Sequence, residues 1–79
     1  MNFSEALTEL RRGERIMRSG WKGKGMWLQH VDDVDLGVSP HTEIQVAMSP
    51  FIGMKTADNK FVPWLASQTN ILAEDWEVL

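Results

Sequence analysis

FIGMKTADNKFVPWLASQTNILAEDW, residues 51–76, is the stretch whose reading decides the fold. Phe51 to Thr56 is short, apolar and suited to extended backbone. Ala57-Asp58-Asn59-Lys60 then supplies a turn, because Asp and Asn tolerate the left-handed conformations that tight hairpins need. Phe61-Val62-Pro63-Trp64 returns. Pro63 has no N–H to give to a ladder, so this return strand must be short, at an edge, or ending there. The period then changes. Ser67 stands where a hydroxyl can accept from the first free N–H groups of a helix. The spacing predicts a helix of about two turns with Ile71 and Leu72 pointing inward. Glu74-Asp75 end it, and Trp76-Glu77-Val78 alternates like a last strand.

Upstream, Asn2 and Glu5 have the spacing of a capping box. Phe3, Ala6, Leu7 and Leu10 fall on one helical face, and Gly13 after Arg11-Arg12 is a natural C-terminal stop. Arg15 to Arg18 alternates as a short strand, broken by Ser19-Gly20. Trp21-Lys22-Gly23-Lys24-Gly25 reads as a loop before an apolar strand from Met26 to Val31. Asp32 to Glu43 reads as a loop marked by Gly37 and Pro40, and Glu43 to Met48 as a further strand. The expectation is an α+β domain: a small, mostly antiparallel sheet with an N-terminal helix and a short C-terminal helix.

Seventy-nine residues make a single domain, 1–79, that buries only roughly 60–65% of its unfolded surface. The chain has no cysteine and two histidines, so neither a disulfide nor a thiolate metal site is expected. Asp32, Asp33 and Asp35 cluster without the spacing of a calcium loop. A small domain without staples favours a homo-oligomer. The net charge is −3, but residues 1–25 carry six Lys or Arg against three Asp or Glu, whereas residues 26–79 carry two against eight. A basic patch on an acidic chain suits one small anion better than a long polyanion, which makes nucleic acid a poor partner. No apolar run spans a bilayer and no signal-peptide layout is present, so a soluble, cytoplasmic protein is expected.

Catalysis finds little support. Ser19, Ser39, Ser49 and Ser67 lack a nucleophile-elbow context. Glu74 and Asp75 are adjacent and point apart, while His30 sits in an apolar strand and His41 in a polar loop, contexts that do not favour catalysis over a structural role. No catalytic residue, metal or cofactor is expected. Binding is better supported, since there are four tryptophans and no tyrosine, and indole faces stack on purines. Trp27 and Trp64 sit in apolar strand contexts and read first as core or interface. Trp21, in a glycine-flanked polar loop, is the first ligand candidate. The Lys22 to Gly25 loop brings lysines and glycines to an anion, although it is not a Walker loop. Ser67, Gln68 and Thr69 offer N–H groups and side chains at a helix start, where capping alone already explains Ser67. Asp75 could accept from a ribose diol. Lys55 and Thr56 border the turn, within reach of an adjacent subunit. The candidate set is Trp21, Lys22, Lys24, Gly25, Trp27, Lys55, Thr56, Ser67, Gln68, Thr69, Asp75 and Trp76.

The strings MNFSEALTELRRGERIMRSGW (1–21), GKGMWL (23–28) and PFIGMKTADNKFVPWLASQTNILAEDWEVL (50–79) resemble a family of small phage proteins, the Thoeris anti-defence proteins of the second type. The resemblance covers both ends of the chain and lapses between His30 and Met48. It implies a homotetramer that binds a cyclic ADP-ribose immune signal such as glycocyclic ADP-ribose. The signal would be held away from the host effector and not cleaved, and cyclic dinucleotides are a further ligand class in such proteins. The competing reading is a non-enzymatic phage interaction module that binds nucleic acid or a host protein.

Overall fold

The computed structural model describes residues 1–32 and 49–79. The strand expected over Glu43 to Met48 and nearly all of the Asp32 to Glu43 loop lie outside the described residues. Helix α1 spans Phe3–Arg11, and its start is the predicted capping box. Asn2 Oδ1 accepts from Glu5 N–H at 2.9 Å, and Glu5 Oε1 accepts from Asn2 N–H at 3.0 Å. Its end is a Schellman motif: Glu14 N–H donates to Glu9 carbonyl and Gly13 N–H to Leu10 carbonyl. Gly13 has φ +91°, the left-handed value such a stop requires.

Strands β1 (Ile16–Arg18), β2 (Trp27–Val31), β3 (Phe51–Lys55), β4 (Phe61–Pro63) and β5 (Trp76–Val78) form one sheet in the order β4-β3-β2-β1-β5, every pair antiparallel. β4 is a short edge strand that ends at Pro63, in keeping with the missing N–H. The β3–β4 turn carries Asn59 at φ +65°. β5 pairs with β1, setting Ile16 opposite Val78, Met17 opposite Glu77 and Arg18 opposite Trp76. The chain from β4 to β5 must therefore pass three strands, roughly 19 Å at the usual strand spacing. Residues 64–75 make that crossing, and α2 (Gln68–Ile71) lies on it. Ser67 caps it, accepting from Asn70 N–H at 3.2 Å.

Here one expectation is corrected. α2 is a single turn, and Ile71 and Leu72 are exposed, Leu72 at 76%. A crossing segment presents only one side to the sheet, and in this chain that side is taken by Trp64 and Ala73.

Ala6, Leu10, Ile16, Leu28 and Trp76 are the fully buried apolar residues among those described. α1 packs on β1, β2 and β5, and side chains alternate across a strand. Ile16, Leu28, Met54 and Trp76 therefore share the helix-covered face. Met17, Trp27, Lys55, Phe61 and Glu77 share the other, here called the open face. Trp76 is the centre of an aromatic cluster. Its ring lies 5.5 Å from Phe3, 5.5 Å from Trp21 and 6.0 Å from Trp64, each edge-on. Such contacts add about 0.5–1.5 kcal/mol per pair beyond simple burial.

Candidate functional site

The twelve candidate residues do not converge on one spot. The structure brings most of them into two groups on opposite faces of the sheet, joined by the loop between β1 and β2. That loop opens with a 3-10 turn, Ser19–Trp21. Next, Lys24 N–H donates to Trp21 carbonyl at 3.0 Å, with Gly23 at φ +77°. Lys22 at φ −56° and ψ 134° completes a type II turn. Glycine is needed at the positive-φ position, which explains Gly23 without invoking any anion.

On the helix-covered side are Trp21, α2 and Asp75. Trp21 is half-buried, its ring edge-on to Trp76 at 84°. Sequence context makes Trp21 look poorly placed for the core, yet it packs against it while keeping part of its surface in solvent. Trp76 is the clearest correction. Expected as a ligand residue, it is 1% exposed and is the largest fully buried side chain among those described. Its faces and edges are occupied by neighbours, and its Nε1 donates to Asn70 carbonyl at 3.0 Å.

Asp75 is engaged on both oxygens. Oδ1 accepts from Arg18 Nε at 2.8 Å and Oδ2 accepts from Ser19 Oγ at 2.7 Å. The Arg18 guanidinium and then the Ser19 hydroxyl hold its carboxyl below the usual aspartate value. Arg18 Nη1 also donates to Asn70 Oδ1 at 3.0 Å. Sequence reasoning missed Arg18, Ser19 and Asn70. The only local signal was Arg18 at an alternating position of a short strand, and what pairs it with Asp75 is the β1–β5 register. Ser67, Gln68 and Thr69 are exposed at the start of α2, with Ser67 Oγ used as the cap.

On the other side are Lys22, Gly25, Trp27 and Lys55. Lys55 Nζ donates to Gly25 carbonyl at 2.6 Å, clamping the end of the loop onto β3. Gly25 has φ +70°, and a Cβ there would lie 3.4 Å from Lys55 Nζ. Lys22 Nζ lies 3.2 Å from Glu77 Oε2, an oxygen shut off from solvent with no aligned donor among the described residues. Trp27 is not in the buried core. It lies on the open face, with the Arg15 guanidinium 4.2 Å above its ring centre and Phe61 at 6.3 Å. A guanidinium over an indole face is a cation–π pair. Lys24 is exposed. Thr56 closes the hairpin, its hydroxyl donating to Asp58 and accepting from Lys60 N–H.

No group of three or more His, Cys, Asp or Glu that could hold a metal occurs among the described residues. No helix among them is long and apolar enough to cross a membrane. Fold and polar network together define a small α+β domain built on one antiparallel sheet, with a tryptophan-bearing turn bonded to Asp75. The model of the Thoeris anti-defense 2-like domain matches residues 1–79. The protein named Thoeris anti-defense 2 from Bacillus phage SP01 is 40% identical over an alignment of 85 positions, which spans 100% of this chain and 94% of that relative. The chain belongs to the Thoeris anti-defense 2-like family, whose members are named for opposing Thoeris defence.

Proposed function

We propose that this protein counters Thoeris by sequestration: it binds a cyclic ADP-ribose immune signal inside the infected cell and holds it without cleaving it. The observation that carries the reading is the match of the whole chain to a family named for opposing Thoeris. The residues supply what such a ligand needs. Trp21 offers a partly exposed indole for a purine. Lys24 brings a cation near a loop rich in N–H groups, and Gln68 and Thr69 offer polar contacts to ribose hydroxyls. Because these candidates occupy two faces of the sheet, a closed pocket is best completed by a second copy of the chain. Exposed Leu65, at 92%, and Leu72 support self-association, and a homotetramer is the assembly proposed.

Isothermal titration calorimetry with glycocyclic ADP-ribose tests this, followed by heating of the complex and chromatography of the released ligand. Saturable heat with intact ligand is expected. Trp21→Ala should weaken binding by 1–3 kcal/mol, roughly 5- to 150-fold, the range for loss of one base-stacking partner. Cleaved ligand would replace sequestration by catalysis, and an absence of heat would move the search to cyclic dinucleotides.

One observation favours a second reading. Arg15, Trp27, Phe61 and Lys55 make a cationic, aromatic strip on the open face, which is stacking chemistry for a single strand. The acidic net charge opposes it. Binding to an oligonucleotide that collapsed between low and moderate salt would support this module, because polyanion affinity falls steeply with salt.

A further inference from the structure

The hydrogen bonds around Asp75 form one continuous path. Starting from the 3-10 turn, Ser19 contributes twice: its Oγ donates to Asp75 Oδ2 at 2.7 Å and its N–H donates to the Asp75 carbonyl at 3.1 Å. Asp75 Oδ1 then accepts from Arg18 Nε at 2.8 Å, and Arg18 Nη1 donates to Asn70 Oδ1 at 3.0 Å. Asn70 is inside α2, and its own N–H donates to the Ser67 cap. The Trp76 indole closes the circuit by donating to Asn70 carbonyl. Thus the turn that presents Trp21 and the helical turn that presents Gln68 and Thr69 are tied together by a side-chain path that runs through the Asp75 carboxylate, beside the backbone bond of Ser19 and the indole bond of Trp76.

We propose that Asp75 is a positioning residue: it locks the Ser19–Trp21 turn to α2, so that the stacking ring and the polar helix start keep a fixed spacing, without itself touching the ligand. As far as the ligand is concerned, this rests on the sequestration reading. The lock itself does not. The physical case is one of valence and placement. A carboxylate accepts from two partners at once, and here the guanidinium of Arg18, the last residue of β1, and the hydroxyl of Ser19, the first of the 3-10 turn, fill both oxygens. Remove it, and Ser19 Oγ loses its partner while Arg18 keeps only Asn70 among the bonds described. The side chains of Arg18 and Asp75 are 25% and 37% exposed. Pairs this wet contribute little to global stability. The effect of losing the pair should therefore appear in local geometry before it appears in melting.

Amide hydrogen exchange and calorimetry on Asp75→Asn, Trp21→Ala and the double variant test the proposal, with glycocyclic ADP-ribose as the probe. In Asp75→Asn, amides of residues 19–25 and 68–72 should exchange faster together while the melting temperature moves little. Affinity should fall about tenfold, the size expected for coupling within one network. In the Trp21→Ala background the same change should add almost nothing, because the ring it positions is already gone. Faster exchange in only one of the two segments, or in neither, overturns the lock. Fully additive affinity losses also overturn it, because they place Asp75 on the ligand directly. If the unaltered protein binds no probe, the sequestration reading falls and the exchange result alone decides the lock. Should Asp75→Asn fail to fold, Ser19→Ala removes one bond of the path and is read in the same way.

Discussion

Trp76 and Trp21 touch each other and serve different ends. The first is enclosed by Phe3, Trp21 and Trp64, so it is a probe of folding and not of binding. Trp76→Ala removes the largest buried side chain among the described residues, and truncations of this kind cost about 3–5 kcal/mol. For a domain this small, that is most of its stability. The expected result is loss of the cooperative thermal transition, checked by circular dichroism. Asp75 adds a dependence on acidity. Its carboxyl is held below the usual value by Arg18 and Ser19, so it stabilises the fold fully above the ordinary aspartate pKa. The contribution is lost as pH falls through the lower, folded value. Because the pair is partly in solvent, denaturant midpoints of the unaltered protein and Asp75→Asn should differ only slightly at neutral pH, and that small gap should close below about pH 4. A constant difference across the acid range would remove the linkage.

Elements show which parts of the design are local. α1 was legible because every determinant of its start and stop lies within its own residues: Asn2 and Glu5 at one end, Gly13 at the other. The character of β4 was legible because Pro63 allows only a strand that is short, at an edge or ending there, and β4 is all three. The single turn of α2 was not, since nothing near Ile71 and Leu72 reveals that the chain there is crossing a sheet. Nor was the division of the candidate residues between two faces. Parity along a strand is written in sequence, but which parity meets α1 depends on the β1–β5 pairing, between residues about sixty positions apart. β3 carries a further non-local device. Phe61 lays its ring over Gly53, where any Cβ would fall inside the ring's van der Waals radius. Gly53→Ala should displace Phe61 from Trp27 and lower the melting temperature by several degrees, as overpacking costs about 1–3 kcal/mol. Unchanged stability would show that Phe61 moves aside freely.

At the scale of the molecule, the fully buried apolar set described here is five residues, one of them an alanine. Leu65, Leu72, Val78 and Leu79 remain substantially exposed. An isolated protomer of this kind would be marginal, and self-association is the remedy proposed above. Leu72→Glu should shift the sedimentation coefficient toward smaller species while α1 and the sheet remain folded by circular dichroism. An unchanged coefficient would take Leu72 out of any interface. The aromatic cluster carries one last implication, for the nascent chain on the ribosome. Phe3, Trp21 and Trp64 are all made before the ring they enclose, and β1 waits beside an empty lane until β5 arrives. α1 can form as soon as it is synthesised, but the core has no centre until residue 76 emerges. Folding is thereby deferred until residue 76 has been made, and a chain cut short before that point has the partners of its core without the residue that unites them.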